Sequence, residues 1–151
     1  MSRARRALLG STRNGSPQRH RLLVPPLLFL VVFAAYALGI FAISGGVVFL
    51  AGEAAVVGVL AATVLGYRRA GLALAWAAVY GALFGYNADH YLLGLSGRSL
   101  AERVAALLGP DGLVFVGVAA LVLGTLAWII GATASRAVEE ARARRRDAPD
   151  G

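Results

Sequence analysis

Cysteine is absent from this 151-residue chain, which excludes disulfides, thiolate metal sites and cysteine-held iron–sulfur clusters. Lysine is absent too, so all fifteen basic residues are arginine. Together with the richness in Ala, Gly and Val, that bias fits GC-rich coding in a prokaryote. A preference for bidentate phosphate binding is the sharper alternative. Charge is scarce at 15% of residues, and only eight are acidic. No Ser/His/Asp set, phosphate loop, CxxC or nucleotide fingerprint occurs, so neither an enzyme nor a cofactor is expected. A net charge of +7 would suggest nucleic acid in a soluble chain, but here the arginines sit where membrane topology would put them.

Hydrophobic residues make up 58% of the chain, too many for a soluble domain of this length. They gather in four segments, 22–43, 47–66, 70–86 and 113–134. Segment 47–66 has twenty residues with one charge, Glu53, and at about 1.5 Å per residue would cover the roughly 30 Å of a bilayer's hydrocarbon. The fold class expected is therefore all-α, a polytopic membrane protein with four transmembrane helices spanning residues 22–134. A short amphipathic surface helix is expected between the third and fourth spans, over residues 100–108. Its signature is Ser99 and Glu102 in capping-box spacing, followed by Leu100, Val104, Leu107 and Leu108 at helical spacing, with Gly109-Pro110 as the stop. Residues 1–21 read as a basic cytoplasmic tail, and 135–151 as a charged one that begins as a helical continuation of the fourth span.

Connections follow from the breakers. Ser44-Gly45-Gly46 reads as a tight turn, Arg68-Arg69 as the hinge of a hairpin, and Asn87-Ala88-Asp89-His90-Tyr91 as a polar, aromatic loop at headgroup level. Arg5-Arg6 lies too far from the first apolar segment for a twin-arginine signal. Ala42-Ile43-Ser44 faintly resembles a signal-peptidase site, but the preceding apolar run suits a retained anchor better.

Small residues recur every fourth position. Ala54, Gly58, Ala62 and Gly66 mark one stripe, and Ala73, Ala77, Gly81 and Gly85 another, with Gly81 and Gly85 forming a GxxxG. In lipid, helices associate through close backbone approach, so these two stripes are expected to face each other within the chain. Four spans put both termini and Arg68-Arg69 on one side. That side holds thirteen of the fifteen arginines, so the expected location is the plasma membrane with both termini cytoplasmic.

Polar residues that could carry work are few. Glu53 is expected about 9 Å below the outer end of its span, as a proton- or cation-binding carboxylate or as a structural one bonded to Tyr36. Asp89 and His90 could converge with it at the outer mouth, although adjacent helical residues do not face each other. Three functions follow. The first is a non-catalytic accessory subunit or scaffold, partnered by membrane lipid and by other membrane subunits or copies of itself. The second is a small oligomeric channel or transporter using Glu53. The third, a lipid-acting enzyme, needs Asp89 and His90 within hydrogen-bond reach of each other or of a metal. The first is the expectation preferred.

Overall fold

The computed structural model describes residues 22–41 and 51–146. The basic tail, the Ser44-Gly45-Gly46 turn, the start of the second apolar segment and residues 147–151 lie outside the described residues. Five helices make up the described fold: α1 (Val24–Ala37), α2 (Gly52–Tyr67), α3 (Leu72–Leu92), α4 (Leu100–Leu107) and α5 (Pro110–Arg146).

All of it is helical, but the four-span layout does not hold. Among the described residues, only α5 is long and apolar enough to cross a membrane. Each other segment fails for a local reason. Helix α1 has 14 residues, about 21 Å, because Gly39 takes a left-handed conformation (φ +68°). The Gly39 N–H then bonds the Tyr36 carbonyl and the Ile40 N–H that of Ala35, a Schellman stop in an otherwise uniformly apolar run. Helix α2 has 16 residues, starting at Gly52 after an extended Ala51. Helix α3 has 21 residues, but its last turns carry Asn87, Asp89 and His90, which dilute its apolar character. The expected headgroup-level loop at 87–91 is thus helix. With the even count of spans falls the inference that both termini share a side.

Helix α3 is the centre of the assembly, packed by α1, α2, α4 and α5, while α1 and α5 are not packed together. The α2–α3 hinge is a second Schellman turn. There Arg69 N–H bonds the Gly66 carbonyl, Ala70 N–H bonds that of Leu65, and Leu65 and Ala70 pack together. Arg69 holds the left-handed position (φ +54°) that glycine ordinarily fills, and its guanidinium pairs with Glu139 of α5. Helix α4 carries the capping box: the Ser99 hydroxyl accepts from Glu102 N–H, and the Glu102 carboxylate accepts from Ser99 N–H at 2.9 Å. Those bonds hold the Glu102 carboxyl below the usual carboxylate range. No residue of α4 is buried. Arg103 fastens it to α3 by donating to the Leu92 carbonyl at 2.8 Å.

The stripes of small residues do not face each other along their length. Ala54, Gly58, Ala62 and Gly66 are all buried. Gly58 lies against Val79 and Ala82 of α3, but Gly66 sits on the backbone of Trp128 in α5. On α3, Gly81 and Gly85 are buried against α1, where a Cβ at Gly85 would come 2.7 Å from the Phe29 carbonyl oxygen. Ala73 is exposed and Ala77 half-buried. The second stripe therefore turns to α1 because α3, at the centre, must present close-packing surface on several sides. Helix α5 contributes its own small seam, Ala120, Gly124, Ala127 and Gly131, all buried.

Gly131 offers the sharpest test, since a Cβ there would collide with the Thr63 carbonyl and the Tyr67 backbone nitrogen. Gly131→Val should lower the free energy of unfolding in detergent by about 1–3 kcal/mol or more. A methyl group added at Gly117 would meet nothing within 4 Å, so Gly117→Ala should be neutral or stabilising by up to about 1 kcal/mol.

Candidate functional site

Glu53 is the second residue of α2, so its carboxylate lies in the first helical turn rather than deep inside a span. The Tyr36 hydroxyl donates to Glu53 Oε2 at 3.2 Å, tying α1 to α2. Tyr36 is itself buried, with its ring centroid 5.2 Å from Phe41 and 5.0 Å from Tyr86 of α3. One side chain thus joins three helices, and its polar tip is consumed by the carboxylate beside it.

Asp89 and His90 part company. Asp89 is buried at 5% exposure, on the face of α3 that also buries Ala78 and Ala82, whereas His90 is exposed. The His90 ring packs on Tyr86 (6.1 Å) and against Tyr91 (5.3 Å), and no hydrogen bond joins it to Asp89. Burial pushes the Asp89 carboxyl above the usual carboxylate range, with the neighbouring His90 partly offsetting it. Among the described residues, no group of three or more His, Cys, Asp or Glu is placed to hold a metal. The structure brings Tyr36 and Glu53 together, sets Tyr86 and His90 alongside by ring packing, and leaves Asp89 on a different face.

Several contacts were not anticipated by sequence reasoning. The Trp76 indole N–H donates to Thr125 Oγ1 at 2.9 Å, linking α3 to α5, and Thr125 Oγ1 donates in turn to the Leu121 carbonyl at 2.6 Å. The Trp128 indole donates to the Ala70 carbonyl at 2.7 Å, pinning α5 to the α2–α3 hinge. Trp76, Tyr80 and Phe84 recur at fourfold helical spacing, a pattern visible in the sequence that marks one face of α3.

Tyr36→Phe should cost about 1 kcal/mol in unfolding experiments, and adding Glu53→Gln should cost less than the sum of the two single changes, because both sever one bond. Asp89 gives a pH test. Its folded-state pKa is raised, so its contribution to stability is fully present below the ordinary carboxylate pKa and is lost as pH rises through the folded value. Asp89→Asn should therefore gain on the parent chain as pH rises above about 4, the ordinary carboxylate value, in denaturation midpoints taken as a pH series. Compared with known proteins, the chain matches no family model, no curated protein and no solved structure.

Proposed function

We propose that this chain is a non-catalytic membrane protein, an accessory subunit or scaffold anchored by α5. Its outer surfaces meet lipid and either other membrane subunits or further copies of itself. One observation carries the reading: the helices are apolar outward as well as inward. Leu27, Leu30 and Val31 on α1, Val56, Leu60 and Val64 on α2, and Val118, Val122, Leu126 and Ile130 on α5 are all more than half exposed. Contiguous apolar surface of that extent is a liability in water and ordinary in hydrocarbon. The seams beneath it are built from glycine and alanine, as association within lipid requires.

Helix α5 carries no charge between Asp111 and Arg136, and beyond that gap come Arg136, Arg142 and Arg144 to Arg146. Arg68 and Arg69 lie at the same end, where Arg69 meets Glu139. That excess of arginine favours a cytoplasmic position for the C-terminal end of α5 in a prokaryotic plasma membrane. Glu53 fits a structural role, because the Tyr36 hydroxyl already donates to its carboxylate and ties α1 to α2.

The absence of native cysteine makes the crossing directly testable. Asp111→Cys and Ala141→Cys, each alone, should react with an impermeant thiol reagent from opposite sides of the membrane. Reaction from one side would remove α5 as the anchor. Purified protein in liposomes should show no proton or cation flux above empty vesicles. Flux that Glu53→Gln abolishes would replace the scaffold reading with an ion-conducting one.

A further inference from the structure

Between α1 and α5, which are not packed together, lies a groove of about 610 Å³ with α3 as its floor. Its size falls within the roughly 300–1,000 Å³ usual for small-molecule sites. Pro25 and Phe29 form one wall, Gly117 and Leu121 the other, and the rings of Trp76, Tyr80 and Phe84 run along the floor. Eight residues separate Trp76 from Phe84, so the ring row extends over about 12 Å and the groove is elongated.

We propose that this groove holds the acyl chain of a membrane lipid. The inference rests on the membrane reading above and adds an occupied, specific place to it. Three features select an acyl chain over other occupants. First, the lining is almost wholly apolar: the Trp76 N–H is taken by Thr125 and the Thr125 hydroxyl by the Leu121 carbonyl, so Tyr80 brings the one side-chain hydroxyl among the lining residues. A single hydroxyl cannot pair the many polar groups of a peptide strand or a headgroup, and each one left unpaired in the groove is costly. Second, Gly117 and Leu121 belong to the uncharged stretch of α5 between Asp111 and Arg136, so a crossing α5 opens the groove into hydrocarbon, where acyl chains surround every surface. Third, the residues before Leu22 include Arg19 and Arg21, whose charges make the N-terminal tail a poor filling for an apolar slot.

Gly117 supplies the test. A Cβ there meets nothing within 4 Å, so a side chain can leave the backbone freely at this lining position, and leucine is a better helix former than glycine. The chain has two tryptophans, so Trp128→Phe leaves Trp76 as the sole indole, excited selectively over the tyrosines at the red edge of absorption. In phosphatidylcholine vesicles with dibrominated acyl chains, Trp76 should be strongly quenched. Gly117→Leu should reduce that quenching about twofold or more, because a pocket's occupant buries most of its surface against the walls. Gly117→Ala, which leaves most of the space open, should quench like the parent.

Quenching of Trp76 unchanged by Gly117→Leu overturns the proposal. A dimer that Gly117→Leu dissociates, with quenching unchanged, overturns it in favour of a second copy. A rise in Trp76 quenching on deleting residues 2–20 overturns it in favour of the tail. Alkaline extraction separates this from the membrane reading. Protein that stays in the membrane while Trp76 escapes quenching defeats the groove proposal alone, and protein released by alkali defeats both.

Discussion

Everything in this fold depends on how near two helix backbones can come. Gly66 lies on the backbone of Trp128, Gly131 on that of Thr63 and Tyr67, and Gly81 and Gly85 on α1, so α2, α3 and α5 each meet a neighbour main chain to main chain. Fully buried large side chains are few, with Val32 and Val79 the largest. A core of that kind gains little from bulky interdigitation and much from many short dispersion contacts, each tiny and collectively large. It also leaves bulky residues free to point outward, which is where the leucines, valines and isoleucines are found.

Several polar side chains along the helices are correspondingly settled within the chain. Thr63 donates to the Val59 carbonyl and Thr133 to that of Ile129, each one turn back along its own helix, and Ser135 donates to the Ala132 carbonyl. The Trp76 indole and the Tyr36 hydroxyl find partners across helices, and the Trp128 indole finds one in the α2–α3 hinge. Such internal settlement is what a protein needs where water is scarce, and it explains how an outer surface so poor in polar groups coexists with a satisfied interior.

Helical content, the capping box at Ser99 and the run of α5 into its charged end were legible in the residues, because each has a short-range signature. Helix limits were less so. Uniform apolarity over 22–43 hid the stop at Gly39, whose effect depends on backbone conformation and not on hydropathy. The polar cluster from Asn87 to Tyr91 looked like a loop because its side chains are polar, yet the backbone of α3 stays helical to Leu92. Small-residue spacing told which faces pack closely but not against which neighbour. That choice is made by α3's central place, a property of the whole assembly. The pairing of Tyr36 with Glu53 could be read as an option from their positions, whereas the separation of Asp89 from His90 onto buried and exposed faces follows from the helix that joins them.

Helix α5 does not end where the apolar bundle ends. About a dozen residues beyond Ala134 continue without a break to Arg146, a rod reaching roughly 18 Å further. Its arginines are consequently held at fixed heights and compass bearings relative to the seam at Gly124 and Gly131. A single inserted residue in the rod would swing every arginine beyond it by about 100° while leaving the bundle untouched. Sequence length in that rod is therefore a setting of angle as much as of distance, and it acts like the pitch of a screw on whatever meets the charged end.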